Sequence, residues 1–295
     1  MQRYENCVLC PFSCGVNRNE KVGRCKATSN LKIARAALHF WEEPCISGEN
    51  GSGTVFFSGC PLHCIYCQNR EISDFQSGKI IDKDRLCEIF FELKEKGANN
   101  INLVTPTHYI PHIIYAIEKA KKQGFSLPFV YNTSGYEKTE TLKSLNGLID
   151  IYLPDFKYYG KDIAKEYSNC EDYLSFAKAS IEEMFKQVGK PVFENGLMKQ
   201  GVIVRHLVLP GEISETKMIL KYLYNTYKDD IFISIMNQYT PMGENLPESL
   251  KRKLSEKEYD EIVSFALSLG IKNAFIQDGE TAKESFIPAF NNEGV

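Results

Sequence analysis

Residues 54–67 read Thr54-Val55-Phe56-Phe57-Ser58-Gly59-Cys60-Pro61-Leu62-His63-Cys64-Ile65-Tyr66-Cys67. An apolar run suited to a buried strand leads into three thiols spaced CxxxCxxC. Three soft ligands on so short a loop can hold an iron–sulfur cluster while leaving one of its irons without a protein ligand, and that open iron is where chemistry can occur. A zinc turn is the alternative. Zinc asks for a fourth protein ligand, and His63, inside the loop, is poorly spaced to serve without strain.

Downstream of this loop, apolar runs alternate with amphipathic helical periods. The runs 54–58, 101–105, 128–132, 149–155, 202–209 and 231–236 are strand candidates. Asp82 is placed to cap a helix bearing Leu86, Ile89, Phe90 and Leu93, with Gly97 as its stop. Pro111 suits the first turn of a helix that ends at Gly124. An insertion after the fourth strand carries the stripe Tyr173, Phe176, Ala177, Ile181, Met184 and Val188, Ser214 begins a further helix, and Ser255-x-x-Glu258 is a capping box. These stripes read as packing. Six strands alternating with helices imply a parallel sheet with right-handed crossovers. Rolled up, the α/β chain makes an incomplete (βα)6 TIM-type barrel, open on one side, with functional residues at the C-terminal strand ends. The expected organisation is a cysteine-rich metal-binding leader and linker over 1–48, the partial barrel over 49–280 and a C-terminal tail over 281–295.

The leader reads Cys7-x2-Cys10-x3-Cys14-x10-Cys25, with Pro11, Gly15 and Gly23 between the thiols. Such thiols can close a tetrahedral site that staples a short segment, and zinc and a second 4Fe-4S cluster both fit. Of the ten cysteines, Cys45, Cys87 and Cys170 stand apart, and Cys45 reads as a small buried hydrophobe. The N-terminus lacks the apolar core of a signal peptide and the Arg-rich pattern of a transit peptide, and no apolar run is long enough to span a bilayer. A cytoplasmic protein is expected, with its cysteines as ligands or free thiols rather than disulfides. Lys and Arg (35) are outnumbered by Asp and Glu (38), so no nucleic-acid footprint is expected.

Polar residues follow or end each strand candidate. After the cysteine loop come Thr105-Pro106-Thr107-His108, Asn132-Thr133-Ser134-Gly135, Asp155-Phe156-Lys157, then Arg205 and His206, and finally Asn237-Gln238-Tyr239. In a parallel sheet these face one mouth, a ring suited to a ligand with an amine, a carboxylate and hydroxyls.

With Tyr66 before its last cysteine, the CxxxCxxC loop resembles the signature of the radical S-adenosylmethionine (AdoMet) superfamily. A closer resemblance, over nearly the whole chain, is to the relatives of pyruvate formate-lyase activating enzyme. It includes the leader, Trp41-Glu42-Glu43-Pro44-Cys45, Cys67-Gln68-Asn69, Leu153-Pro154-Asp155-Phe156-Lys157 and Arg205-His206-Leu207-Val208-Leu209-Pro210-Gly211. The resemblance implies that Cys60, Cys64 and Cys67 hold a 4Fe-4S cluster whose open iron is chelated by the amine and carboxylate of AdoMet. It implies reductive cleavage of AdoMet to a 5'-deoxyadenosyl radical that abstracts hydrogen from substrate. Thr105, Thr107 and His108 occupy the place of the family's amine-binding Gly-Gly-Glu element, from which the chain departs in having no acidic residue there. Asp155 and Lys157 resemble the family's pair beside the methionyl group, and Asn132, Ser134, Arg205 and Gln238 fall among the AdoMet contacts.

The favoured target is a protein or peptide, as in activation of a glycyl radical enzyme, with an electron donor such as flavodoxin or ferredoxin as partner. The competing readings are radical modification of a small molecule or nucleotide, and a non-catalytic iron–sulfur or zinc electron-transfer protein, which leaves the polar ring unexplained.

Overall fold

A computed structural model describes residues 4–243, 245–277 and 288–295. Its strands are β1 (Lys32–His39), β2 (Ser52–Phe57), β3 (Lys79–Ile80), β4 (Ile101–Val104), β5 (Phe129–Thr133), β6 (Ile151–Pro154), β7 (Val192–Glu194), β8 (Leu197–Leu207), β9 (Phe232–Met236) and β10 (Ala274–Ile276). They form one sheet ordered β10-β9-β8-β6-β5-β4-β2-β1-β3, with β7 beside β8. From β2 to β10 along this order every pairing is parallel. The six expected strands are all present. A seventh parallel strand, β10, extends one edge, and β1 pairs antiparallel with β2 at the other. Among the described residues the two edges do not pair, so the sheet is a partial barrel. β10 escapes a sequence reading because three residues are too few for a period.

Helices Lys83–Glu95, Ile110–Lys122, Tyr173–Val188, Ile213–Tyr227 and Glu256–Leu269 supply the crossovers. Their termini follow the local chemistry: Asp82 accepts from the Arg85 amide, Pro111 sits in a first turn, and Ser255 and Glu258 form the reciprocal capping box. Their buried stripes, with the outward side chains of the strands, build the large core. Alternation along the strands sends Val130, Ile151, Leu153, Ile203 and Phe232 inward to a smaller core, closed by Cys45 and Ile46. Cys45 is thus a buried hydrophobe, its thiol pushed up to about 12 by burial and then by Glu43.

The sheet begins inside the segment read as leader and linker. Because β1 runs antiparallel, its end, His39, lies opposite Ser52 at the start of β2. Residues 40–51 therefore cross the N-terminal end of the barrel, where Asn99 and Asn100 donate to the Ser47 and Ile46 carbonyls. This plug brings Glu42 and Glu43 into the lumen. Of the expected tail, residues 281–287 lie outside the described residues. Residues 288–295 pack along β1, through the Asn292 amide on Ala34 O and the Ala36 amide on Glu293 O.

The leader docks through Arg18, a fully buried cation that donates to the carbonyls of His108 (2.6 Å), Thr28 (2.6 Å) and Ala27 (3.1 Å) and faces the Tyr4 ring. Gly59 makes the close approach possible. At φ +96°, a Cβ there would fall 2.7 Å from the Cys25 carbonyl oxygen and 3.0 Å from His108 Nε2.

Candidate functional site

One cavity of about 620 Å³ opens inside the barrel, lined by residues of the cysteine loop, the strands and the 39–48 plug. Cys64, Cys67, Asn132, Asp155, Lys157, Arg205 and Gln238 all line it. At its centre Arg205 donates through Nε to Asp155 Oδ1 (3.1 Å), through Nη1 to Glu42 Oε2 (3.1 Å) and through Nη2 to Asn132 Oδ1 (2.6 Å). Lys157 Nζ reaches Asp155 Oδ2 at 2.7 Å. Three strand ends and the plug are thereby tied into one charged network. Burial pushes the Asp155 carboxyl up, but Lys157 and Arg205 outweigh it and hold the group below its ordinary value. Against its own burial, Lys157 is raised by Asp155, Tyr66 and Cys64.

The cysteine loop is positioned from several sides. His63, at φ +50°, turns its ring away, Nε2 2.9 Å from the Arg24 carbonyl and Nδ1 3.4 Å from Asp74. The Tyr66 and Tyr158 hydroxyls meet at 2.8 Å, Ser168 Oγ lies 2.9 Å from Cys64 Sγ, and Gln68 donates to the Gln238 carbonyl at 2.8 Å. Burial, then Cys64, pushes Cys60 up to about 12 and Cys67 to about 11. Such mutual penalty marks thiols held close together, the donor set that an iron–sulfur cluster takes. Among the described residues no three His, Cys, Asp or Glu side chains stand in chelating geometry, in this loop or in the leader. The loop fits a cluster by its donors and by its place on the cavity wall.

Cys60 and four of the AdoMet-contact candidates do not line the cavity. Thr105 takes a left-handed φ of +57° and donates its amide to the Asn132 carbonyl. Thr107 points inward, its hydroxyl 2.5 Å from Glu137 Oε1. His108 is buried against Ser58 O at 2.8 Å, and burial, then Arg18, lowers it to about 3. Ser134 Oγ accepts from the Tyr136 amide. The His108 carbonyl at this strand end receives Arg18 of the leader. In the leader a Cβ on Gly23 would stand 3.5 and 3.6 Å from the Cys25 and Cys14 sulfurs, and Arg18 Nη1 lies 3.9 Å from Cys7 Sγ. These cysteines share one neighbourhood.

Two contributions escape the strand-end reading. Glu42 and Glu43 bring acid to the lumen from the plug, their only prior signal being the Trp-Glu-Glu-Pro stretch. Tyr173, read as a packing residue, uses its hydroxyl to donate toward Ser134 O and Asp155 O and to accept the Lys157 amide, locking two strand ends.

Residues 46–166 match a family model described as a 4Fe-4S single cluster domain. An uncharacterized protein of Methanocaldococcus jannaschii is 26% identical over 276 residues, covering 89% of this chain and 75% of that one. Among solved structures, anSMEcpe with bound AdoMet and the Kp18Cys peptide shares 16% identity at a TM-score of 0.51, covering 72% of this chain. HydG, a maturase of the FeFe-hydrogenase, shares 17% at 0.51 and also covers 72%. The chain spans 57% and 48% of those two proteins, and the likeness is one of fold. The cluster-domain match takes in the cysteine loop, and the two solved structures share the chain's fold.

Proposed function

We propose that the chain is a radical AdoMet enzyme acting on a protein or peptide, with activation of a glycyl radical enzyme as the leading case. The observation that carries this reading is the Lys157–Asp155–Arg205–Glu42 network, which lines the same cavity as Cys64 and Cys67. Cys60, Cys64 and Cys67 would hold the cluster. When bound, it supplies the electron that divides AdoMet into methionine and a 5'-deoxyadenosyl radical, which takes a hydrogen atom from substrate. Lys157, raised and directed to the cysteine end, suits the methionyl carboxylate. Asn132 and Gln238 offer amides to polar groups along the wall, and Asp155 holds Lys157 in place. A flavodoxin- or ferredoxin-type donor would reach the loop.

The leader would carry a second metal, zinc or a further cluster. What supports this is Arg18, a fully buried cation with no carboxylate in salt-bridge reach among the described residues, whose charge Cys25, Tyr4 and Cys7 favour.

The test is anaerobic reconstitution with iron and sulfide. The cluster signal should shift on adding AdoMet, and dithionite should then release 5'-deoxyadenosine. Undiminished cleavage by a protein with Cys60, Cys64 and Cys67 all changed to Ala would sink the assignment. Deuterium carried from a glycine Cα into 5'-deoxyadenosine would support the activating role, and transfer only from a small molecule or nucleotide would reject it.

A further inference from the structure

Among the described residues the carboxylates and cations that line the cavity are unevenly matched: Glu42, Glu43 and Asp155 face Lys157 and Arg205. Both cations are committed, Lys157 to Asp155 and Arg205 to Asp155, Glu42 and Asn132. Glu43 is 8% exposed. Its Oε2 is buried with no hydrogen-bond partner among the described residues, and Ser234 lines the same cavity. An unsatisfied buried acceptor of this kind costs about 1–3 kcal/mol, and more when charged. The structural work of the segment is done by the Glu43 carbonyl, which accepts from the Ile46 and Ser47 amides, and by Cys45 and Ile46 in the core. A buried polar group retained at such cost on a cavity wall is a mark of ligand binding.

We propose that Glu43 receives a cationic nitrogen of the substrate, a primary ammonium or a guanidinium, which pairs with Oε2 inside the barrel. The proposal rests on the radical AdoMet reading and adds the class of substrate to it. Position favours substrate over AdoMet as the source. Lys157 neighbours Cys64 and Tyr66, whereas the charged neighbours of Glu43 are Arg205 and Glu42, and Ser234 is level with Arg205 in the sheet. Glu43 is carried by the segment that crosses the N-terminal end of the barrel, whereas the cysteine loop follows the C-terminal end of β2. Met236, Phe275 and Ile276 line the same cavity and give an alkyl stem an apolar wall.

Full-length reconstituted protein, saturated with AdoMet, would be titrated with Nα-acetyl-lysine methylamide, Nα-acetyl-arginine methylamide and the neutral Nα-acetyl-norleucine methylamide, as wild type and as Glu43→Gln. At least one cationic probe should bind wild type saturably, and the substitution should weaken it by about tenfold or more through loss of the charge pair. AdoMet affinity, measured by equilibrium dialysis, should stay within about twofold, and the melting temperature of the ligand-free variant should rise because an unpaired buried carboxylate is gone. Equal probe affinity in both proteins, cationic probes no tighter than norleucine, or a lowered melting temperature would each overturn the proposal. Loss of AdoMet affinity with unchanged probe binding would assign the carboxylate to the amine of AdoMet and overturn it too. Failure of wild type to bind AdoMet defeats the radical reading instead, and the probe titration then still decides whether Glu43 takes a cation.

Discussion

Replacing Arg205 by Met keeps most of the side-chain volume and removes the charge on which the cavity network converges. Arg205 is 15% exposed, Glu42 8% and Asp155 18% in their side chains. Removing one partner of a buried ion pair costs about 3–5 kcal/mol, because the other charge is left without compensation. Asp155 keeps Lys157 at 2.7 Å, so the loss falls mainly on Glu42, whose remaining partners are the amides of Asn102 (2.9 Å) and Asn132 (3.5 Å). A cost of about 3–4 kcal/mol at pH 8 is expected. The pH dependence has a definite sign. Burial already pushes Glu42 up and Arg205 opposes it, so the variant raises the carboxyl further above its unfolded value. A carboxyl so raised is tolerated at low pH, where it is protonated, and destabilises as pH climbs through the folded value. The gap between wild type and Arg205→Met should shrink to about 1–2 kcal/mol near pH 5 as the acids take up protons. Denaturant unfolding at pH 5 and pH 8, followed by fluorescence of the single tryptophan, Trp41, measures both. A gap below about 1 kcal/mol at pH 8, or one that does not change with pH, would refute the compensation described for this network.

Glu137 offers a second pH test. Burial raises it to about 7, against hydrogen bonds from Thr107, Thr133 and Tyr131. Its stabilising contribution is present below the unfolded value near 4.5 and lost as pH rises through about 7, a swing of roughly 3 kcal/mol. Glu137→Gln should therefore lose less stability than wild type between pH 5 and pH 8, and parallel profiles would reject this account. At Gly135, φ +76°, a Cβ would lie 2.1 Å from the Asp155 carbonyl oxygen. Gly135→Ala should lower the melting temperature by roughly 4–6 °C, for a strain of about 3 kcal/mol; an unchanged midpoint would contradict the contact. Metal analysis tests the leader: about eight irons per chain identifies a second cluster, and about four irons with one zinc identifies a structural site. Four irons and nothing else would remove the leader as a metal site.

The alternation of β-rich runs with helical periods was enough to name the six central strands and the capped helices, because these elements are long and their signals are local. Tyr173 shows the limit of that reading. Its place in a helical stripe predicts burial, and it is buried, but the bond from its hydroxyl to two strand ends depends on how the insertion folds back. Thr105 to His108 show the same limit from the other side. Sequence placed them at a strand end, and in the structure they lie outside the cavity lining, with a left-handed turn at Thr105 and Arg18 docked on the His108 carbonyl.

Sequence by itself determined the cysteine loop, the parallel α/β framework and the Asp155, Lys157, Asn132 and Arg205 strand-end set. These follow from spacing and periodicity, which neighbouring residues enforce on one another. Tertiary structure alone decided where acid enters the lumen. Thr105 to His108 contain no carboxylate, and Glu42 and Glu43 are more than 60 residues earlier in the chain. They reach the cavity because β1 runs antiparallel to β2 and returns the chain across the open end of the barrel, a long-range placement that no local pattern encodes.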